Sequence, residues 1–383
     1  MSKLVNSVLV IMALSLTGYV SVSHAFDSHP LNTTAFFGKY KLADVNDGFD
    51  IPWGMVQLPN QDILVSERRG ELRVIHQGKL LDKSIQGLPK IDNNGQGGLL
   101  DLALDPDFIN NSWLYFTYAD DSGDGRGSNT ALMRAKLNLA TMSLSNQTRL
   151  YKGKVNSTKG QHYGSRIAFD EKGYVYFSIG DRGRRDENPQ DLKKDGGKIY
   201  RLHKDGSIPS DNPFLDENGK TTAVFSYGHR NPQGLAFDTS TGVLWSHEHG
   251  PKGGDEINVI SAGKNYGWPV VSYGVNYSGT TFTELTEKKG MANPALYWLP
   301  SIAPSAMIYI TSDKYPQLKG KLLLGSMKFG YIVAVSVTDN KVEQQFKLFN
   351  NLGRVRSLMQ GVDGFIYVGL DGGGIKKLLP IDT

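Results

Sequence analysis

The 383-residue chain has no cysteine, which excludes disulfides and thiolate metal sites alike. It is also poor in net charge: 42 Lys and Arg stand against 38 Asp and Glu, leaving +4. No block of like charge accompanies that small excess, which argues against a nucleic-acid partner. Long apolar runs are missing as well. The nearest approach is Val8 to Leu16, broken by Ser15, and it is too short to cross ~30 Å of hydrocarbon. Lys3 precedes it and Ser23-His24-Ala25 follows, the pattern of a secretory signal peptide cleaved after Ala25; a lipidated or uncleaved anchor is the alternative. The expected organisation is a leader over 1–25 and a single domain over 26–383, exported to the periplasm with no membrane span after cleavage. Without cysteine, the stability of such a chain rests on its core, on closure of the fold, or on bound ions.

Glycine and aromatic residues are abundant, with 44 glycines and 10% aromatics, a composition that favours a turn-rich all-β fold. One unit recurs along the chain: a turn with Asp or Gly, then a strand of apolar and aromatic residues. Its copies are Asp62-Ile63-Leu64-Val65, Trp113-Leu114-Tyr115-Phe116, Gly173-Tyr174-Val175-Tyr176-Phe177, Gly242-Val243-Leu244-Trp245, Gly320-Lys321-Leu322-Leu323-Leu324 and Gly364-Phe365-Ile366-Tyr367-Val368. Their spacing of roughly 45 to 80 residues suits one four-stranded blade per copy. Six copies predict a six-bladed β-propeller of four-stranded antiparallel blades. A sandwich does not explain a pattern that spans the whole length, and a β-helix needs a shorter period.

Propellers gather loops around the channel mouth, where rigid blades hold functional side chains. Five polar segments interrupt the repeat. Gly95-Gln96-Gly97-Gly98 allows close backbone approach to a ligand, or simply a tight turn. His162 precedes the third copy and Asp181 follows it, so the strand can return the carboxylate to the imidazole, leaving one ring nitrogen as a base. Arg230 and Asn231 lie in a Gly/Pro-rich turn suited to carboxylate and carbonyl oxygens, and the neighbouring His229 is a rival base. Glu248 to Asn258 sets carboxylates beside Gly and Pro carbonyls, the donors a hard cation such as Ca²⁺ prefers, although the spacing is not that of an EF-hand. Lys328, Arg354 and Arg356, with Arg230, make four cations expected at one mouth, and such clustering implies a polyanionic ligand.

In order, these segments resemble the soluble quinoprotein aldose (glucose) dehydrogenases that use pyrroloquinoline quinone (PQQ), from about Pro52-Trp53-Gly54 to Leu370. The motifs are Gly95-Gln96-Gly97-Gly98-Leu99-Leu100-Asp101, His162 through Asp181, Gly228-His229-Arg230-Asn231-Pro232-Gln233-Gly234, Asp255-Glu256-Ile257-Asn258 and Asn265-Tyr266-Gly267-Trp268-Pro269. The resemblance implies a six-bladed propeller that oxidises an aldose at C1 to a lactone. It makes His162 the general base, Asp181 its orienting partner, and Arg230 a catalytic and cofactor-binding cation. Gln96, Asn231, Tyr277, Lys328, Arg354 and Arg356 would also contact PQQ. Backbone carbonyls of Gly250 and Pro251 would hold Ca²⁺ against the quinone, and Glu256 and Tyr266 would bind a second, structural calcium. An electron acceptor, a cytochrome or the quinone pool, would reoxidise the cofactor. Two other readings remain at this stage: a calcium-dependent propeller lactonase or hydrolase, and a non-enzymatic ligand-binding propeller.

Overall fold

The computed structural model describes residues 40–381, so the expected signal segment lies outside the described residues. Six four-stranded antiparallel sheets make up the fold. The first blade comprises Pro52–Gln57, Ile63–Glu67, Glu71–His76 and Lys79–Leu80, and the second Leu99–Leu104, Trp113–Asp120, Asn129–Asn138 and Ser143–Lys152. The third runs through Ile167–Phe169, Tyr174–Ile179, Lys198–His203 and Val224–Tyr227; the fourth through Pro232–Asp238, Val243–Glu248, Asp255–Ile260 and Leu296–Trp298. The fifth holds Pro304–Tyr309, Lys321–Ser326, Ile332–Thr338 and Lys341–Leu348. The sixth takes Val355–Gln360, Ile366–Leu370 and Gly374–Pro380 from the C-terminal end and Tyr40–Asn46 from the other end of the described chain. Every copy of the sequence unit is the second strand of its blade.

The turn residues show why that unit recurs. Gly173 adopts φ +81° and Gly364 φ +77°, a region that favours glycine. In the third blade Asp170 Oδ1 accepts the Tyr174 N–H at 2.8 Å, and in the sixth Asp363 Oδ1 accepts the Phe365 N–H at 3.1 Å. The carboxylate thus satisfies an amide at or just before the start of the returning strand and helps pin the hairpin register.

The first strands of all neighbouring blades contact one another, including the last with the first, so these strands form a closed ring about the axis. Second strands are almost wholly buried because both faces meet another blade. Six apolar clusters fill the six junctions; Phe116 and Leu64 belong to one, Tyr200 and Leu132 to another. Hydroxyls stitch across these junctions. Ser66 donates to the Leu100 carbonyl, Thr117 Oγ1 to Ser165 O at 2.7 Å, Ser178 Oγ to Pro232 O at 2.8 Å and Ser357 Oγ to Pro52 O at 2.7 Å. Each contributes about 1 kcal/mol net, so the ring owes its stability chiefly to apolar burial and these bonds set its register.

The ring is closed by Tyr40–Asn46 pairing antiparallel with Gly374–Pro380, with Leu42 opposite Leu378. Among the described residues no helix is long and apolar enough to cross a membrane.

At the place in blade four matching Ser66 of blade one stands His247, fully buried. A Cβ on Gly234 would lie 2.2 Å from its ring, so this glycine is required by close approach. Gly234→Ala is expected to lower stability by about 1–3 kcal/mol, the usual cost of overpacking, read as a lower denaturant midpoint at unchanged m.

Candidate functional site

The site follows from the antiparallel pairing inside each blade. The start of a first strand and the end of the second lie at the same end of the sheet, and the first strand lines the axis. Gln96, His162, Arg230 and Arg354 lie at or just before first strands; Asp181, Lys328 and Asp371 lie just after second strands. Residues scattered over the sequence therefore meet at one mouth.

His162 occupies a left-handed conformation, φ +60°, unusual for a residue with a Cβ and held here by its contacts. Its N–H donates to Gln96 Oε1 at 2.9 Å, and its Nδ1 meets Asp181 Oδ1 at 2.7 Å. A carboxylate accepts, so Nδ1 carries the hydrogen and Nε2 keeps its lone pair. The side chain lines a cavity of about 390 Å³ together with Asp181, Arg230, Pro251, Trp268 and Tyr277. Burial pushes the His162 pKa below its ordinary value; Asp181 opposes this through its hydrogen bond, and the Arg230 charge reinforces it.

Asp181 is 1% exposed and stays ionised. Burial alone would raise its pKa, but the His162 hydrogen bond and charge, Arg230 and the Gly183 N–H together hold it below the usual carboxylate range. The Gly183 N–H reaches Oδ1 at 2.7 Å, and the Trp268 indole N–H reaches Oδ2 at 2.9 Å.

Arg230 is anchored by its Nη1 donating to His249 O at 3.0 Å, while its backbone N–H donates to Glu248 Oε2 at 2.5 Å. Its guanidinium lies 5.3 Å from the Trp268 ring, and its buried Nε has no hydrogen-bond partner among the described residues. Asn231 Oδ1 accepts the Gly164 N–H at 3.0 Å, tying the third blade's entry loop to the fourth's. The rival base His229 is fully enclosed: Nδ1 meets Glu248 Oε1 at 2.9 Å, Nε2 meets Ser226 Oγ at 2.9 Å, and the ring stacks on Tyr266 at 4.5 Å. Neither nitrogen is left for a substrate.

A second cavity of about 300 Å³ holds Arg68, Gln96, His249, Arg354, Arg356 and Asp371. Arg356 grips Asp371 as a fork, Nε to Oδ1 at 2.8 Å and Nη2 to Oδ2 at 2.7 Å, and Arg354 Nε reaches Oδ2 at 3.1 Å. One carboxylate thus aligns two guanidiniums and cancels one of their charges. Lys328 is exposed beside the Phe329 ring, 4.9 Å from its centroid. Sequence reasoning missed Arg68 and Asp371. The signal for Asp371 was present, because second strands also end near Glu67, Asp120, Asp181 and Glu248. Tyr277 is 74% exposed and lines the His162 cavity, apart from the arginine cavity.

Of the four residues expected to bind metal, Gly250 and Pro251 form a turn held by Asp255. Its Oδ1 accepts the Gly250 N–H at 2.9 Å and the Ser301 hydroxyl at 2.9 Å, and its Oδ2 accepts the Ala303 N–H at 2.7 Å. Among the described residues nothing donates to the carbonyls of Gly250 or Pro251. Glu256 lies beside Glu248: Asn258 Nδ2 bridges them at 3.2 Å and 3.3 Å. Burial, and then the Glu248 charge, push the Glu256 pKa well above its ordinary value, and Asn258 Oδ1 is buried with no partner among the described residues. The Tyr266 hydroxyl is spent on Val259 O at 2.5 Å, which leaves only its backbone oxygen as a donor to a cation.

The closed six-bladed ring thus sets a His–Asp pair and an arginine cavity at one mouth, a site for an anionic ligand beside a base. Residues 49–378 match the family model for glucose/sorbosone dehydrogenase. An aldose sugar dehydrogenase of Escherichia coli is 38% identical over 342 residues, covering 88% of this chain and 92% of that protein. Quinoprotein glucose dehydrogenase B of Acinetobacter calcoaceticus is 31% identical over 84% of this chain and 72% of its own length. The apo-form structure of the soluble E. coli aldose sugar dehydrogenase superposes with TM-score 0.85 at 36% identity, covering 90% of this chain and 100% of that one. A PQQ-bound aldose sugar dehydrogenase from Streptomyces coelicolor superposes with TM-score 0.73 at 26% identity, covering 92% and 99%. The chain belongs to the glucose/sorbosone dehydrogenase family and is an oxidoreductase that acts on a sugar CH–OH group.

Proposed function

We propose that the protein is an exported, PQQ- and calcium-dependent dehydrogenase that oxidises aldoses at C1 to lactones. The observation that carries this reading is the Nδ1-anchored His162, with Nε2 free in a cavity it shares with Arg230. The arginine cavity suits a tricarboxylate: Arg68, Arg354 and Arg356 supply cations and Gln96 an amide, while Arg230 lines the His162 cavity and Lys328 and Asn231 line neither. The partnerless, buried Nε of Arg230 fits a missing oxygen acceptor. Bound there, PQQ would supply a two-electron acceptor for the C1 hydride.

The chain's own residues do the rest. His162 Nε2 takes the proton of the anomeric hydroxyl, and Asp181 holds the ring in that tautomer and stabilises the imidazolium that results. Arg230 places positive charge beside the reacting centre without itself exchanging a proton. The unengaged carbonyls of Gly250 and Pro251 suit a Ca²⁺ that would polarise the acceptor, and Asp255 keeps their turn in place. Glu256, the Tyr266 backbone oxygen and the unsatisfied Asn258 oxygen suit a second calcium, which would relieve the repulsion between Glu248 and Glu256. Calcium chelation is therefore expected to lower the melting temperature as well as activity, with both restored by added Ca²⁺. A melting temperature indifferent to chelator would count against the structural ion.

Product analysis separates this reading from the propeller lactonases. Supplied with an aldose, PQQ, Ca²⁺ and a redox dye, the protein is expected to form aldonolactone in step with dye reduction. Consumption of added lactone without dye reduction would identify a hydrolase.

A further inference from the structure

We propose that Trp268 is a positioning residue for the His162–Asp181 pair. Its indole N–H fixes the second oxygen of Asp181, so that Asp181 holds His162 in the tautomer with Nε2 open to the cavity. The inference rests on the reading of His162 as base, but its structural half can be tested without turnover.

Asp181 Oδ1 already receives two hydrogens, from His162 Nδ1 and the Gly183 N–H, each at 2.7 Å. Oδ2 faces Trp268 Nε1 at 2.9 Å. The carboxylate is 1% exposed, so without the indole Oδ2 would be a charged acceptor in a dry site, free to turn toward other donors. Asp181 belongs to the third blade's loop and Trp268 to a loop of the fourth, so the bond also locks the two loops that build the cavity. Trp268 is itself oriented: its backbone N–H donates to Gly228 O at 2.8 Å, its backbone carbonyl accepts Gln190 Nε2 at 2.8 Å, and Phe282 meets its ring edge-on at 5.3 Å.

The residue type carries the logic. Indole is a donor only. It neither accepts a proton from Asp181 nor offers an acceptor to a protonated carboxyl, so both oxygens remain acceptors. Nδ1 of His162 must then carry its hydrogen. A tyrosine or histidine in the same place could stabilise a protonated Asp181 and the opposite tautomer. The other charged and titratable groups around His162 are Arg230, Arg182 and His249, with Arg184, Arg185, Asp186, Glu187 and Tyr277 lining the same cavity, and none of them fixes this choice, because among the described residues none hydrogen-bonds to either ring nitrogen.

The test uses Trp268→Phe, which keeps an aromatic ring and removes only the donor. In the cofactor-free protein, ¹⁵N-histidine NMR is expected to show His162 as the Nδ1–H tautomer, and a mixture of tautomers in the variant. With PQQ and Ca²⁺, kcat is expected to fall roughly ten- to hundredfold, the range for losing a bond to a charged group, while KM changes little. In the unaltered protein the Trp268 indole N–H should exchange slowly, and Asp181→Asn should move its resonance, so the proposal stands or falls even if Trp268→Phe does not fold. An unchanged tautomer with unchanged kcat, or a freely exchanging indole N–H, would overturn it. A shifted tautomer in a protein that never oxidises aldoses would keep the positioning role and remove the catalytic one.

Discussion

Replacing His162 with Gln should reduce kcat by about 10²–10⁴-fold, the contribution typical of a positioned general base, and leave PQQ affinity nearly unchanged. Glutamine retains polar contact with the cavity but cannot take a proton. The enclosed His229 cannot replace His162, because Glu248 and Ser226 occupy both its nitrogens. The pH profile follows from the same geometry. The base works only when unprotonated, and burial holds the His162 pKa below the ordinary ~6.5. Activity should therefore persist at mildly acidic pH and fall only as pH drops through that lowered value. A variant that retained turnover would shift the chemistry to another group, and a variant that lost PQQ binding would make His162 a cofactor contact.

Arg356→Ala should produce the largest loss in cofactor affinity, at least ~10-fold, because a hydrogen bond from a guanidinium to an anionic ligand contributes about 1.5–3 kcal/mol. The fork to Asp371 gives the reason. Removing Arg356 subtracts a cation from the site and also strips Asp371 of its main partner, leaving a carboxylate beside an anionic ligand. The double variant Arg356→Ala/Asp371→Ala should bind PQQ better than the single one, which equilibrium titration of the apoprotein would show. Equal affinity for the two would mean that Asp371 does not face the cofactor.

The fold was legible because the second strand of each blade is buried on both faces and opens from a turn with a fixed chemistry. Asp170-to-Tyr174 and Asp363-to-Phe365 differ in span, four residues against two, but both use a turn carboxylate to hold an amide at the strand's entry. The closure by Tyr40–Asn46 was not legible, since pairing Leu42 with Leu378 joins distant parts of the chain and leaves no local pattern. The His162–Asp181 contact was foreseeable for the opposite reason: a single hairpin strand separates the two residues and returns one to the other. Trp268 reaches Asp181 from a different blade, and Arg68 and Asp371 enter the arginine cavity from the first and sixth blades. Contacts across a propeller's mouth depend on ring closure, which sequence spacing does not encode even where, as for Asp371, the end of a second strand marks the residue. Two of the four expected cations also gained a partner in this way, since Asp371 ties Arg354 and Arg356 together.

The central claim is that this mouth uses PQQ to oxidise aldoses, and titrating PQQ into the purified apoprotein with Ca²⁺, aldose and dye tests it most directly. The account predicts no dye reduction without PQQ and a rate that rises to saturation at one PQQ per chain. Aldose oxidation without PQQ, or none at any PQQ concentration in a protein that is folded and calcium-loaded, would contradict it.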